Sequence, residues 1–340
     1  MTLELFTMSI PEAGLAESLS ERAEAAGWDG ITFTDSQNLV GDPFIAIALG
    51  ARVTDRLQFM TGVTNAATRH PAALATVAAT VQETSGGRVV LGIGRGDTAL
   101  FHLGRPPMPL TDFFARTEQL HTYLRSGTVD LDGFPSRLRW LDRAKQAPVP
   151  LDIAASGPKV ITFAARTAER ISFAIGADPD RMRWAVDLAR AAQREAGRDA
   201  GDVSFGAYVT VGCHPDRDAG RALVRGSVAA FAHFSAMPGW TGAGLDDHDR
   251  ALVAEVGRRY DSNLHLVNSA AHAQVLPDEF VDRFAVIGDA DTCAKRLRAL
   301  SDAGLDRLVI TGPSFGANRE DVRVHHDLVT EELLPALRAR

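Results

Sequence analysis

The chain alternates short apolar runs, rich in β-branched residues, with longer stretches in which apolar residues recur at helical spacing. This alternation is typical of repeated βα units around a parallel sheet. The first helices are predicted over Glu12–Ala26, Pro43–Val53 and about Pro71–Thr84. The predicted strands, in chain order, are Leu3–Thr7, Ile31–Thr34, Leu57–Val63, Val89–Ile93, Pro150–Ala154, Ile171–Ile175, Val203–Val211 and Leu308–Thr311.

Eight predicted strands in a chain of 340 residues favour an α/β fold of the (β/α)8 TIM-barrel type over an open doubly wound sheet. Two segments depart from the repeat. Residues 126–147, after the fourth strand, alternate like a small hairpin, and residues 230–286, after the seventh, are mostly helical. We therefore predict one barrel domain over residues 1–340, with insertions after strands 4 and 7 that cover a pocket at the strands' carboxyl ends.

Composition narrows the partners and the location. A formal net charge of −7 without blocks of like charge argues against nucleic acid and membrane partners, so a small molecule is expected. The two cysteines, Cys213 and Cys293, predict neither a disulfide framework nor a metal site, and the histidine spacings predict no metal either. No segment approaches the roughly 20 apolar residues of a membrane helix, and the first residues lack a signal-peptide pattern. We expect a cytoplasmic protein.

Small and polar residues gather where five of the predicted strands end. Bulky branched residues fill a barrel interior, so packing does not require these residue types, and a shared ligand surface is the preferred interpretation. Ordinary βα turns, which also favour Gly, Asp and Ser, are the alternative. The five segments are Thr34–Ser36, Thr61–Asn65, Gly94–Asp97, Ala154–Pro158 and Ile175–Ala177.

Two of these segments have features of a cofactor site. Glycines 92, 94 and 96 lack a Cβ, so positive φ and close approach of a flat or phosphorylated ligand are expected there. The run also matches a dinucleotide fingerprint, but the nearby prolines interrupt the helix that a Rossmann fold requires. Ser156-Gly157-Pro158 opens a predicted helix whose N–H groups suit a phosphate; a Ser N-cap without a ligand is the alternative.

Three stretches resemble the bacterial luciferase-like superfamily, in particular its deazaflavin branch, which includes methylenetetrahydromethanopterin reductases. They are Thr61–Pro71, Leu91–Gly104 and His272–Gly288, and the resemblance covers nearly the whole chain. It implies a barrel that holds coenzyme F420, or FMN in sister groups, and passes hydride between the ring and a substrate. It also implies a homodimer.

The resemblance assigns roles by position. The Gly62-Val63 bond falls where deazaflavin members have a bulge with a non-prolyl cis peptide behind the ring. Thr64 and Asn65 would line the ring, and Asp35 would face its reactive side. It further implies Asp97 as proton donor or substrate anchor, and Ser156, Gly157 and Gly176 as cofactor contacts that would hold the tail phosphate. The clustering at the strand ends adds further cofactor contacts, namely Gly94, Arg95, Gly96, Ala155, Ile175 and Ala177. His272, in the second insertion, is expected to face the pocket as a substrate contact.

Two departures from the family pattern narrow the expected reaction. Ser36 stands where some deazaflavin dehydrogenases have a catalytic His, and Thr7–Ser9 offers no carboxylate where the pterin reductases have a Glu. The predicted function is therefore an F420-dependent oxidoreductase, a reductase that moves hydride between the deazaflavin C5 and a small organic substrate other than that pterin. The alternatives are an FMN-dependent luciferase-like monooxygenase and a non-catalytic flavin- or deazaflavin-binding protein.

Overall fold

The computed structural model describes residues 3–12, 14–237 and 243–339. The strands are β1 (Glu4–Ser9), β2 (Gly30–Phe33), β3 (Gln58–Thr61), β4 (Val89–Ile93), β5 (Val129–Leu131), β6 (Phe134–Ser136), β7 (Leu151–Ala155), β8 (Arg170–Phe173), β9 (Ser204–Cys213), β10 (Val286–Gly288) and β11 (Arg307–Thr311). The helices are α1 (Ala16–Ala25), α2 (Pro43–Ala51), α3 (Pro71–Ser85), α4 (Asp97–Phe101), α5 (Leu110–Leu124), α6 (Pro158–Thr167), α7 (Pro179–Glu195), α8 (Arg217–Phe234), α9 (Asp247–Arg259), α10 (Ala271–Gln274), α11 (Asp278–Phe284), α12 (Ala290–Asp302), α13 (Arg319–Leu328) and α14 (Leu334–Arg338).

The strand order is that of a (β/α)8 barrel. Hydrogen-bonded neighbours run β10-β9-β11-β1-β2-β3-β4-β7-β8, and β8 also pairs with β9. The barrel strands are therefore β1, β2, β3, β4, β7, β8, β9 and β11, all parallel, whereas the short β10 lies beside β9. The predicted fold class is confirmed.

Most predicted elements lie within a few residues of their observed positions, and β4 matches at both ends. Proline at the first helical turn fixes the backbone φ that a helix needs, so α2 and α3 begin at Pro43 and Pro71 as predicted. The third strand was predicted to reach Val63, which is wrong, because β3 stops at Thr61 where its pairing with β4 is interrupted.

The two predicted insertions are present as local structure. Strands β5 and β6 form an antiparallel hairpin within 126–147, and the turn residues Asp132 and Gly133 both have positive φ, as a type I′ turn requires. The segment 230–286 is mostly helical, as expected, and contains the end of α8 and helices α9 to α11. Residues 238–242 of this segment lie outside the described residues.

The chain divides into two compact units. The amino-terminal unit comprises Phe6–Ala154 and Phe163–Ile171, and the carboxyl-terminal unit comprises Met1–Leu5, Ala155–Thr162 and Ser172–Arg340. Phe6, Phe33 and Phe59, on successive barrel strands, are fully buried in the amino-terminal unit. The expectation of a single domain stays a prediction.

The core of the carboxyl-terminal unit holds two features that are unusual for a protein interior. The Arg307 side chain on β11 is fully buried, and its Nη2 donates to the Ser172 hydroxyl at 3.1 Å. Cys213 at the end of β9 and Cys293 on α12 are both buried free thiols. Cys293 donates to the Gly288 carbonyl, with Sγ 3.3 Å from the oxygen. The hydrogen bond with the Cys213 thiol, together with burial, raises the pKa of the Cys293 thiol.

No helix within 3–12, 14–237 or 243–339 combines the length and the hydropathy that a membrane-spanning segment requires.

Glu169, just before β8, joins three elements of the amino-terminal unit. Its carboxylate accepts from the His121 ring at 3.1 Å and from the Leu151 amide at 3.0 Å, and it pairs with Arg125 at 2.5 Å. Burial alone would raise the pKa of Glu169, but the His121 and Leu151 hydrogen bonds and the Arg125 charge outweigh burial and lower the pKa to about 2. The ionised carboxylate therefore ties α5 and β7 to the start of β8.

We predict that Glu169→Gln destabilises the protein in a pH-dependent way. The folded-state pKa lies below the unfolded value, so the carboxylate stabilises the fold above about pH 4.5 and loses this contribution as the pH falls towards 2. The variant should lose about 1–2 kcal/mol at pH 7 and progressively less at pH 4 and pH 3. Urea-unfolding midpoints measure the difference. Glu118→Gln, exposed on α5, is the control; a deficit independent of pH would contradict the assignment.

Candidate functional site

An extra residue interrupts the ladder between β3 and β4. Met60 pairs with Val90, but the next pairing is Thr64 with Ile93, so four steps along β3 oppose three along β4. The Gly62-Val63 peptide within this bulge is cis, as the resemblance implied. Pairing resumes at Thr64, whose N–H donates to the Gly92 carbonyl and whose carbonyl accepts from Gly94, both at 2.9 Å.

The Asp35 carboxylate lies beside this bulge, two residues beyond the end of β2. Its side chain is only 2% exposed. The Thr64 hydroxyl donates to Asp35 Oδ2 at 2.6 Å, and Arg69 Nη1 donates to the same oxygen at 2.5 Å. Among the described residues, Asp35 Oδ1 has no hydrogen-bond partner. A buried carboxylate thus keeps one oxygen with spare acceptor capacity.

Arg69 connects Asp35 to the start of α2. Its Nη2 donates to Asp42 Oδ2 at 2.8 Å, and its guanidinium carbon lies 5.4 Å from the centre of the Phe44 ring. Asp42 is the N-cap of α2 and accepts from the Phe44 and Ile45 amides. Burial lowers the pKa of Arg69, but the charges and hydrogen bonds of Asp35 and Asp42 outweigh it and raise the pKa. We call Asp35, Asp42, Thr64 and Arg69 the Asp35 cluster.

Local hydrogen bonds shape the loop that supplies Thr64 and Arg69. Asn65 Oδ1 accepts from the amides of Ala67 (3.0 Å) and Thr68 (2.9 Å) and from the Thr68 hydroxyl (3.1 Å). His70 Nδ1 then accepts from the Ala72 amide at 3.2 Å and caps α3. The Asn65 side-chain oxygen therefore holds the loop, and its contact with a ring stays a prediction.

The alternating glycines serve a different purpose from the one expected. A Cβ on Gly92 would lie 2.1 Å from the Thr61 carbonyl oxygen, and a Cβ on Gly94 would lie 2.9 Å from a Val63 methyl group. Of the three, only Gly96 has positive φ, at +77°. The expectation of positive φ at Gly92 and Gly94 is wrong, because these glycines make room for the bulged end of β3. Their contact with a cofactor is untested.

Asp97, half-buried, is the first residue of α4, which is five residues long. The short helix agrees with the expectation that the following prolines interrupt it. Arg95 Nε donates to the Met108 carbonyl at 2.8 Å. Burial lowers the pKa of Arg95, and the nearby negative charge of Asp97 opposes this effect. The side chains of Arg95 and Asp97, which one residue separates in the sequence, therefore interact electrostatically.

In the carboxyl-terminal unit, the residues predicted to bind phosphate have other contacts. The Ser156 hydroxyl donates to the Phe234 carbonyl at 3.0 Å, and the Gly157 carbonyl accepts from Ile161 in the first turn of α6. The Ser156 hydroxyl thus bonds to the end of α8, and the alternative of a Ser156 N-cap stays a prediction. The first N–H groups of a helix have no partner within the helix, so main-chain donors remain at this end of α6.

Arg181, which the sequence analysis missed, supports the Ile175–Ala177 loop. Gly176 has a φ of +89°, and the Ile175 carbonyl accepts from Arg181 Nη1 at 2.6 Å. The Arg181 side chain is buried above the Phe284 ring, and burial lowers its pKa to about 10. The available signal was an arginine in the first turn of the helix that follows a predicted strand. Together with Trp184, Arg181 also lines a cleft of 480 Å³ in this unit.

His272, the predicted substrate contact, lies in an aromatic cluster. The residue is 1% exposed, and its ring centre lies 4.4 Å from that of Tyr260, which in turn stacks on His233 at 3.9 Å. The Asp261 amide donates to His272 Nδ1 at 3.3 Å. Burial and the neighbouring His233 lower the pKa of His272 despite the opposing charge of Asp261. His272 is thus a packed residue here, and its contact with a substrate stays a prediction.

Comparison with known proteins identifies the family. Residues 10–307 match the sequence model of the luciferase-like monooxygenase family, which is well over half of the chain. The chain belongs to this family. Its recognition from the sequence is confirmed.

Two named proteins are similar to the chain over most of its length. The chain is 28% identical over 303 residues to the 5,10-methylenetetrahydromethanopterin reductase of Methanolobus tindarius, covering 88% of this chain and 90% of that protein. It is also 28% identical over 305 residues to the F420-dependent glucose-6-phosphate dehydrogenase of Amycolatopsis mediterranei, covering 85% and 82%. These relatives are oxidoreductases, and this protein is an oxidoreductase of the same family.

Solved structures agree with the fold. The coenzyme F420 dependent tetrahydromethanopterin reductase of Methanopyrus kandleri superposes with a TM-score of 0.75 at 20% identity, covering 99% of this chain and 100% of that one. An F420-dependent secondary alcohol dehydrogenase, in complex with an F420–acetone adduct, gives a TM-score of 0.78 at 18% identity, with the same coverage. At these identities the superpositions support the barrel alone.

We predict that Gly92→Ala destabilises the protein by about 1–3 kcal/mol, because its Cβ would overlap the main-chain carbonyl of Thr61. Gly201→Ala is the matched control, since its Cβ would meet nothing within 4 Å. Thermal unfolding of both variants measures the effect. Equal melting temperatures would show that Gly92 is not needed for the approach of β3 to β4.

Proposed function

We propose that the protein is an F420-dependent reductase that passes hydride from the deazaflavin C5 to an unsaturated or imine-like centre of a small organic substrate. The observation that carries the proposal is the Asp35 carboxylate, which is buried beside the β3 bulge and has one oxygen without a hydrogen-bond partner in the part of the chain that the structure describes. The glucose-6-phosphate dehydrogenase relative and the superposed tetrahydromethanopterin reductase are both named as F420-dependent, which supports the choice of cofactor.

The residues of the Asp35 cluster fit a deazaflavin ring. The pyrimidine edge of such a ring carries N–H groups, which need acceptors once they leave water. Asp35 Oδ1 is an acceptor of this kind, and the Thr64 hydroxyl orients the carboxylate through Oδ2. When bound, coenzyme F420 supplies the hydride at C5, and the protein supplies binding, orientation and electrostatics.

Under this proposal, Asp97 anchors the substrate or moves its proton. The side chain is half-buried at the start of α4, and the charged Arg95 lies close to it. Ser156, Gly157 and Gly176 would hold the tail phosphate. Since the Ser156 hydroxyl already bonds to Phe234, this contact would use main-chain N–H groups.

One residue identity favours reduction over alcohol oxidation, and another argues against the pterin as substrate. Ser36 follows Asp35, so no imidazole stands there to take a proton from an alcohol. The end of β1, Thr7–Ser9, supplies no carboxylate where the pterin reductases have a Glu. A homodimer stays a prediction of the family resemblance.

We predict that the protein binds F420 in preference to FMN and that Asp35→Asn weakens F420 binding about 10-fold or more. The amide change removes the charge of the acceptor and can turn an N–H donor towards the ring. Separate fluorescence titrations with F420 and FMN give the two Kd values. Asp112→Asn, exposed on α5, is the matched control and should bind as the wild type does.

Preference for FMN would instead favour the oxygen-consuming monooxygenase, and it would overturn the F420 assignment. Binding of F420 without turnover across a broad substrate screen would favour the non-catalytic binding protein.

We predict that Asp97→Asn lowers kcat by about 100-fold, the usual contribution of a positioned acid or base, while the Kd for F420 changes little. The assay follows oxidation of reduced F420 with the first substrate found by screening alkenes and imines. The Asp112→Asn variant controls for charge loss on the same unit. Unchanged turnover in Asp97→Asn would remove this residue from the chemistry.

A further inference from the structure

We propose that Arg69 is a positioning residue for Asp35: it holds one carboxylate oxygen so that the other is available to the bound ligand. The inference rests on the proposed function for the identity of that ligand. Nothing in the sequence motif itself distinguishes this arginine from a surface residue, because its two partners lie 34 and 27 positions away in the chain.

The two carboxylate oxygens of Asp35 have different contacts. Both polar contacts, from the Thr64 hydroxyl at 2.6 Å and from Arg69 Nη1 at 2.5 Å, fall on Oδ2. Two donors on one oxygen fix the rotation of the carboxylate about its Cβ–Cγ bond. Oδ1, with no partner among the described residues, is then presented in one orientation to whatever binds beside the bulge.

The buried Asp35 carboxylate requires a cation beside it. The Asp35 side chain is 2% exposed, and a buried carboxylate is costly unless it is paired and hydrogen-bonded. Arg69 supplies the charge, and at 23% exposure its own guanidinium keeps contact with water. Both hydrogen bonds to Asp35 have a carboxylate acceptor and are charge-assisted, but only Arg69 adds a full opposite charge, so Arg69 is the stronger restraint on Asp35.

The contacts of the cation beside Asp35 require an arginine rather than a lysine. Nη1 bonds to Asp35 while Nη2 bonds to Asp42, and the planar group lies over Phe44. A guanidinium can bridge two carboxylates and stack on a ring at the same time, whereas an ammonium is a single point charge. The ion pair with Asp42 and the contact with the Phe44 ring hold the Arg69 guanidinium from the α2 side. They fix it in an orientation in which Nη1 donates to Asp35.

Loss of Arg69 should affect Asp42 and Asp35 differently. Asp42 keeps its capping bonds from Phe44 and Ile45 when Arg69 is removed, so the start of α2 survives the change. Asp35 then keeps only the Thr64 hydroxyl and loses its counter-charge. Losing Arg69 should therefore weaken ligand binding by Asp35 and also lower the stability of the fold, so binding is compared among variants shown to be folded.

The test compares Arg69→Ala, Arg69→Lys and Asp42→Asn with the wild type. We expect Arg69→Ala to raise the Kd for F420 about 10- to 100-fold, which is the effect of losing one charged hydrogen bond. Arg69→Lys should recover part of the loss. Asp42→Asn should weaken binding by a smaller factor than Arg69→Ala, about 3- to 10-fold, because asparagine still caps α2 but no longer pairs by charge with Arg69.

Chemical rescue gives a readout that general loss of stability would not move. Methylguanidinium in the buffer should restore F420 binding by Arg69→Ala, because the missing group can enter beside Asp35. It should not restore binding by Asp35→Asn, which has no charge to pair with. Melting temperatures and circular dichroism of each variant establish that it is folded.

The outcomes separate the two proposals. If the wild type binds F420 but Arg69→Ala binds it equally well, or shows no rescue, the positioning role is wrong and the proposed function stands. If the wild type binds no F420, the proposed function fails. A double-mutant cycle of thermal unfolding with Arg69→Ala and Asp35→Asn then tests the pair by itself: non-additive changes support the coupling, and additive changes overturn it.

Discussion

The candidate site depends on one constraint: β3 and β4 must remain hydrogen-bonded although β3 carries an extra residue at its end. The two main-chain bonds of Thr64, to Gly92 and Gly94, satisfy that constraint. They place the Thr64 hydroxyl within reach of Asp35, and they require that no side chain project from Gly92 or Gly94. The glycine-rich end of β4 is thus a packing requirement of the bulge, and the chemistry beside it follows from the packing.

Three of the candidate binding segments are placed near an arginine of their own unit. Arg69 pairs with Asp35, Arg95 interacts with Asp97, and Arg181 holds the carbonyl that precedes Gly176. All three guanidinium groups are partly or fully buried, and each of them also bonds to main chain or to a second side chain. Arginine suits this role because it stays charged even where burial lowers its pKa, as it does for Arg95 and Arg181.

The sequence was sufficient for the fold and for part of the site. Apolar periodicity identified the barrel strands and the hairpin, because each βα unit repeats the same pattern locally. It placed the end of β3 two residues too far, since Gly62 and Val63 continue an apolar run although the ladder has already broken. Periodicity measures burial, and a bulge can be buried without being paired.

Long-range contacts account for what the sequence did not predict. Asp35 and Thr64 were found through their resemblance to family motifs, but Arg69 acts through partners far away in the chain, and no local pattern indicates them. Ser156 was predicted from its own neighbours to face a ligand or cap a helix, whereas its partner is Phe234, 78 positions later. His272 was predicted to face a pocket; packing against Tyr260 buries its ring, a contact that the sequence did not indicate, and its role towards a substrate stays a prediction.

The contact between Cys213 and Cys293 has a practical consequence. Both thiols are fully enclosed between β9 and α12, and the pKa of Cys293 is raised, so neither is reactive towards alkylating reagents while this packing is intact. The sequence contains no other cysteine. Labelling of the protein by such a reagent therefore requires a local opening of the structure. The rate of labelling measures how often α12 separates from the barrel.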